Sequence, residues 1–329
     1  VGGFIVVALG AVSVVRAAAD NPVHGHYPPG QTGLRGAAFS QPGWSVTDFN
    51  RFFTNLEIKN ESGNTIGHVG ELRYANIAVI SWTSDLQILG MNYGAYLGIP
   101  FATGNLNPDS TGDSSIGLGD IIATPVALYG TSRTFDYQLQ FSVWAPSGEF
   151  KFGGSGNRGS GFWSLIYSAG AVWYPTGERD GWSASAVARI EQNFQQAHTA
   201  ITPGDDFDVD WGIGKMVRVA GHDFDVGLSG FATWQITTQS GGTSMGRYHY
   251  YGIGPEVGTA IDQQWAARIR LQWEFGTENA AQGNNIWRKL SAVGESRPKQ
   301  LAMARRSRMV IRKHNAQSQR RHVSSPPNF

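Results

Sequence analysis

The sequence predicts an all-β protein, a transmembrane antiparallel up-and-down β-barrel of about twelve strands. Three observations point there. Apolar and polar residues alternate with period two in twelve successive runs, the connections between runs alternate between longer and shorter, and most tryptophans fall near strand ends. Strict alternation marks a strand whose two faces meet different surroundings. An outer-membrane barrel turns its apolar face to lipid, carries an aromatic girdle at each interface, and has short periplasmic turns and longer outer loops. A β-sandwich also alternates, but its loops have no reason to sort by side.

In chain order the runs are 44–58, 66–84, 87–101, 117–130, 134–146, 161–174, 181–194, 205–219, 223–237, 246–261, 264–275 and 284–290. The clearest is 134–146, where Phe135, Tyr137, Leu139, Phe141, Val143 and Ala145 alternate with Thr134, Asp136, Gln138, Gln140 and Ser142. In 181–194, Trp182, Ala184, Ala186, Ala188 and Ile190 oppose Ser183, Ser185, Arg189 and Glu191. In 205–219, Phe207, Val209, Trp211 and Ile213 oppose Asp206, Asp208 and Asp210. In 264–275, Trp265, Ala267, Ile269, Leu271 and Trp273 face away from Arg268, Arg270, Gln272 and Glu274. Two places strain the pattern. Lys215 falls on the lipid-facing parity, so it must snorkel or a bulge must reset the register. Segment 66–84 puts Glu71 and Arg73 on the same face as Ile77 and Val79.

The odd-numbered connections, such as 102–116, 147–160 and 195–204, are the longer ones, and the even-numbered ones shrink to 85–86, 131–133, 220–222 and 262–263. Trp44, Trp82, Trp173, Trp182 and Trp265 group toward the short-turn side, and Trp163, Trp211, Trp234 and Trp273 toward the long-loop side. These are the two belts that a barrel between two headgroup layers requires.

Composition excludes several classes. Charged residues are 16% of the 329, below the ~25% of ordinary soluble domains, while 41% are hydrophobic, which excludes a disordered chain. Cysteine is absent, so a disulfide scaffold, thiolate zinc and a cysteine nucleophile are out. Beyond the first 15 residues no apolar run approaches the ~18 needed for a membrane helix. Residues 4–15 (FIVVALGAVSVV) followed by Ala17-Ala18-Ala19 read as a secretory signal peptide spanning 1–19, truncated at its start because the Met and basic n-region are missing. Residues 20–43 form a mature N-terminal segment that a twelve-strand barrel is wide enough to admit as a partial plug. The barrel occupies 44–290. Residues 291–329 hold nine Lys/Arg against Glu295 alone and read as a basic, disordered tail, not a nucleic-acid site in an exported protein.

Candidate lumen-lining residues follow from parity: Arg189, Glu191, Asp206, Asp208, Asp210, Phe231, Tyr248, Tyr250, Glu256, Arg268, Arg270 and Glu274. With the 195–204 turn centred near residue 200, Arg189 lies opposite Asp210 and Glu191 opposite Asp208. Like charges so placed need water or a cation between them, and the three aspartates serve either a structural lumen network or contact with a solute or cation. They do not form an EF-hand, because the sixth and twelfth positions are Trp211 and Val217. Pro125 and Pro255 fall inside strands and mark kinks, which serve barrel curvature or a lateral opening toward the bilayer. The stretch 154–159 matches G-x-G-x-x-G but opens into the strand beginning Phe162-Trp163, so it reads as an outer loop. His24-x-His26 is too small a set for zinc and reads as linker. No spacing ties His68, His198, His222 or His249 to a serine. No catalytic residue, cofactor or metal site is assigned, and the chain is not read as an enzyme.

The chain resembles the bacterial outer-membrane family labelled "putative meta-pathway of phenol degradation". The resemblance rests on an ordered set covering about residues 27–290. It begins with Tyr27-Pro28-Pro29-Gly30, Gly90-Met91-Asn92-Tyr93-Gly94 running to Ile99-Pro100-Phe101, Gly117-Leu118-Gly119-Asp120 with Thr124-Pro125, and Ala145-Pro146-Ser147-Gly148. It continues through Asp205-Asp206-Phe207 with Asp210, Gly252-Ile253-Gly254-Pro255, and Trp273-Glu274-Phe275-Gly276 with Asn279, Gly283 and Trp287. The resemblance implies an outer-membrane channel in a Gram-negative bacterium for passive uptake of small hydrophobic, aromatic compounds linked to catabolism. The alternative is a structural or adhesive barrel with no transport role. Implied partners are outer-membrane lipid and lipopolysaccharide, the outer-membrane assembly machinery, and a small hydrophobic or aromatic solute. The basic stretch after Leu290 departs from the family pattern.

Overall fold

The structure is a computed structural model, and it describes residues 23–103, 106, 115–152, 154, 157–242 and 246–294. The segment expected to be a leader (1–19), most of the basic tail, and Ser155 and Gly156 of the glycine-rich stretch lie outside the described residues. Twelve long strands and two short ones follow one another: β1 (Gly43–Lys59), β2 (Thr65–Ile88), β3 (Met91–Thr103), β4 (Ile116–Leu118), β5 (Ile121–Thr131), β6 (Phe135–Ala145), β7 (Ser164–Trp173), β8 (Trp182–Asn193), β9 (Asp206–Val219), β10 (His222–Gln235), β11 (His249–Ala260), β12 (Trp265–Glu278), β13 (Ala281–Gln282) and β14 (Asn284–Val293). Each long strand pairs antiparallel with the next. β1 pairs with both β2 and β14, so the twelve-stranded sheet closes on itself as an up-and-down barrel.

Closure leaves no open sheet edge, the condition for a strand-built structure to sit in lipid. The outer wall has the matching chemistry: Leu97, Leu139, Ile190, Ile213, Leu228, Ile253, Ile269 and Ile286 are all exposed. Trp44 and Trp82 are paired neighbours at the short-turn end, with ring centres 6.4 Å apart. Lys215 stays on the outer face with no register shift between β8 and β9. It lies opposite Trp182, its ammonium 5.7 Å from the indole centre, so it snorkels at the girdle. The mixed face of β2 is also real. Glu71, Arg73, Ile77 and Val79 share one parity and pair with β1 without a shift through that stretch.

Some boundaries differ from the sequence reading. The second hairpin turns at Leu89-Gly90 and not at 85–86, because both residues adopt positive φ (53° and 76°), as a two-residue turn requires. Asp85 and Leu86 lie within β2, at a register irregularity between Thr83 and Gln87. The last strand runs on to Val293. The connection 174–181 is long for the short-turn end because it folds back on its neighbour: Arg179 donates to Ser132 O and pairs with Asp136. Pro125 sits at a bulge, with register shifts to both β3 and β6, and Tyr93 donates to its free carbonyl at 2.7 Å. Pro255 is different. It stays in register opposite Leu228, and the β11–β12 ladder keeps its register across Gly254 and Pro255, so no kink by bulging arises there.

The seam where β14 meets β1 depends on Gly283. Its N–H donates to Glu274 Oε2 at 2.8 Å, and a Cβ built there would collide with the Thr54 carbonyl on β1. Gly283→Val should therefore force the seam apart and lower folding stability by about 2 kcal/mol. The heat-modifiable gel shift, followed against urea, reads this directly. Gly67→Ala is the matched control, since its Cβ would meet only Ile58 at 3.9 Å. Equal midpoints for the two variants would refute the role given to Gly283.

Candidate functional site

Because side chains alternate along a strand, every apolar residue turned to the outer wall places a neighbour in the lumen. The structure puts Arg189 and Glu191 of β8, Asp206, Asp208 and Asp210 of β9, Phe231 of β10, Tyr250 and Glu256 of β11, and Arg268, Arg270 and Glu274 of β12 on that inner side. Tyr248, just before β11, joins them. The cross-strand partners differ by two residues from the sequence expectation: Arg189 faces Asp208 and Glu191 faces Asp206, because the hairpin is centred between 198 and 199. His198 takes positive φ there. Arg189 still reaches Asp210 diagonally at 3.4 Å.

Glu191 opposite Asp206 is a repulsive pair, and donors from the chain's own N-terminal segment relieve it. Residues 23–42 run through the lumen from the long-loop end at Val23, bonded to Gln239, to the short-turn end before β1. The backbone N–H groups of His26 and Tyr27 donate to the two oxygens of Glu191 at 2.6 and 3.0 Å, and Gly25 N–H donates to Asp206 at 3.1 Å. Asp210 accepts from Gly30 N–H at 2.7 Å, from Thr32 N–H at 3.0 Å, from the Thr32 hydroxyl at 2.7 Å and from the Tyr27 hydroxyl. Glu256 accepts from Leu34 N–H at 3.0 Å while paired with Arg270 and Arg268 at 2.7 and 3.1 Å. Arg270 returns a bond to Gly30 O. Gly30 has φ of 86°, and a Cβ on it would strike Gln272 and Phe231, so only glycine passes there.

The two histidines read as linker are fixed parts of this arrangement. His24 stacks on Tyr248 with ring centres 4.1 Å apart, and burial, then Arg51, lowers its pKa to about 4, so it is a neutral ring. His26 bonds Ser164 through Nδ1 at 2.7 Å and Asp120 through Nε2 at 3.0 Å. Burial opposes its charge, but the hydrogen bonds to Asp120 and Glu191 outweigh burial and raise its pKa. Sequence reasoning missed Asp120. It also accepts from Gly148 N–H at 2.9 Å and Ser160 N–H at 2.6 Å, tying the β6–β7 loop to the segment. Its position at a strand end beside glycines carries no parity signal. Asp225, paired with Arg35 at 3.1 Å and Arg268 at 2.7 Å, was also missed.

The other half of the lumen has different chemistry. Phe49, Ile77, Val79, Ile122, Trp144 and Ile166 come together on the inner wall of β1, β2, β5, β6 and β7. A cavity of about 400 Å³ lies between them and the segment residues Tyr27, Thr32, Leu34 and Ala38. Chemically the lumen holds an ordered polar half, filled by the segment, and an apolar half with space beside it. A Gly-x-Ser-x-Gly string does occur at 242–246, between β10 and β11; a nucleophile elbow needs a strand-to-helix turn, and this connection joins two strands. Ser244 lies outside the described residues. Among the described residues no group of three or more His, Asp or Glu side chains could hold a metal.

Asp210→Ala should loosen the segment while leaving the barrel closed, since two buried N–H donors lose their acceptor. Loss of charge-assisted bonds on this scale costs about 3 kcal/mol. Amide exchange at Gly30 and Thr32 should then rise about 100-fold by local opening. Unchanged protection of both amides would show that Asp210 does not hold the segment.

Comparison with known proteins agrees with the fold. The crystal structure of the COG4313 outer membrane channel from Pseudomonas putida F1 matches with a TM-score of 0.63 at 14% identity, covering 82% of this chain and all of that one. The β domain of the Bordetella autotransporter BrkA matches with a TM-score of 0.46 at 13% identity, over 77% of this chain and all of that one. No curated protein matches the chain. The family described as "Putative MetA-pathway of phenol degradation" matches residues 58–290. With its twelve-strand barrel and that match over most of its length, the chain belongs to this family.

Proposed function

We propose that the protein is an outer-membrane channel for passive passage of small hydrophobic, aromatic compounds, with residues 23–42 acting as a resident plug of the lumen. The observation that carries this reading is the apolar half of the lumen. A barrel needs apolar residues outside, yet Phe49, Ile77, Val79, Ile122 and Ile166 line its interior beside a cavity of about 400 Å³. An inner wall serving only water or ions has no use for such a surface, whereas a ring system gains by burying against it. The family's association with phenol degradation and the likeness in fold to an outer membrane channel support the same reading. The outer membrane is then the location, its lipid and lipopolysaccharide the surroundings, and the assembly machinery the means of insertion.

A second reading, a barrel with a structural role, draws on a different observation. The segment is bonded along the lumen from Val23 to Arg35, which suits a permanently occluded barrel. Uptake of labelled toluene at low external concentration separates the two, in cells lacking the protein, with and without its restoration, and with insertion verified. Faster uptake with the barrel present is expected; equal uptake with correctly inserted protein would overturn the channel reading. In planar bilayers, a variant lacking residues 23–42 should conduct ions at least about tenfold better than the full chain, because the polar half is then open to water. Equal conductance would show that the segment does not limit the pore.

A further inference from the structure

The strand register arranges the inner wall into a graded row. Phe49 of β1 lies beside Ile77 of β2 on one side and beside Lys289 of β14 on the other. Lys289 in turn lies beside Arg268 of β12. On the far side, Val79 pairs with Gly98, Gly98 with Ile122, and Ile122 with Trp144. The row therefore runs from two cations, across an aromatic ring, onto an aliphatic and aromatic surface. All of it but Gly98 lines the same cavity of about 400 Å³.

Lys289 stands apart from the lumen arginines around it. Arg189 has Asp210, Arg268 has Asp225 and Glu256, and Arg270 has Glu256. Among the described residues no carboxylate lies within 4 Å of the Lys289 ammonium, and the Phe49 ring lies 5.1 Å from Nζ to its centre. An ammonium drawn out of bulk water is normally paired, and a residue continuing an apolar stripe is normally aliphatic. The exception makes sense if the counter-charge arrives with the ligand. A flat ring would lie over Phe49, Ile77 and Val79, and a carboxylate on that ring would reach the ammonium, with Arg268 adding positive potential behind it.

We propose that Lys289 and the apolar stripe form one binding site for aromatic carboxylates. This rests on the channel reading and narrows its solute class from aromatic compounds in general to those carrying a carboxylate. A neutral ring would use the stripe alone.

The test is calorimetric titration of the purified full-length barrel with benzoate and with its neutral isostere benzamide, at pH 7 and low salt. The wild type should bind benzoate at least about tenfold tighter than benzamide, the factor one charge-assisted contact provides. Lys289→Met should bring that ratio to within about twofold, and Lys289→Arg should retain the preference. The heat-modifiable gel shift verifies folding. Should Lys289→Met not fold, the wild type still decides: raising sodium chloride from about 50 to 500 mM should weaken benzoate binding and leave benzamide binding in place. Equal affinities in the wild type, or a preference that survives Lys289→Met, would overturn the site. Toluene uptake bears on the channel reading alone, so barrel-independent uptake alongside Lys289-dependent benzoate binding would reject the channel and keep the site.

Discussion

A closed sheet surrounded by lipid must turn its apolar side chains outward, and that constraint loads the interior with polar groups that face one another. On β8 and β9 the consequence is severe: Glu191 meets Asp206 across the ladder, with Asp208 and Asp210 one and two steps along the same inner face. Buried carboxylates of like sign cannot coexist without donors. The chain supplies them from residues 23–42, whose backbone N–H groups end on Glu191, Asp206, Asp210 and Glu256. The barrel and its inner segment are thus two halves of one electrostatic arrangement. Neither half is satisfied alone.

That arrangement also explains why the lumen divides. Acidic residues gather on β8 to β11, so the segment lies against those strands, and the opposite wall needs no polar complement. Ile77 and Val79 on β2 break the usual outward placement of aliphatics, and they pack with Phe49, Ile122, Trp144 and Ile166 on the inner wall. The small inner residues tell the same story. Gly212 and Gly214 leave the space that Leu34 occupies, and a Cβ on either would contact its side chain at about 3 Å. Glycine at inner positions, common in this sequence, is in part a fitting surface for a chain within a chain.

The strands were legible because parity is a strong signal when one face meets lipid: β6, β8, β9 and β12 can be read almost residue by residue. The lumen residues followed from the same parity. Their partners did not, because a hairpin's centre depends on where the backbone takes positive φ, and His198 gives no compositional hint of it. The Leu89-Gly90 turn was missed for a related reason, since Asp85 looks more like a turn residue than Leu89 does. Asp120 and the two histidines were beyond parity altogether. They lie in connections, and only three-dimensional proximity joins His26 to residues 94 and 165 positions away. Tyr27-Pro28-Pro29-Gly30 did carry a signal, as part of an ordered set of motifs, but not the reason for it: a hydroxyl for Asp210 and a glycine slipping past Gln272.

The division of the lumen also separates two tasks that a plugged barrel would otherwise set against each other. Releasing the segment means breaking many bonds to buried carboxylates and exposing Glu191 and Asp206 to each other, a change that no single small solute could drive. A route along the apolar wall asks for none of that. Through the cavity it would pass Tyr27, Thr32, Leu34 and Ala38 on one side and Phe49, Ile77, Val79 and Ile122 on the other, while Asp210 keeps its four donors. In the proposed channel, a segment held that firmly plugs the polar half and forms one wall of the path beside it. In the proposed channel such a wall would admit a flat ring between two fixed surfaces and keep water and ions from following through the polar half.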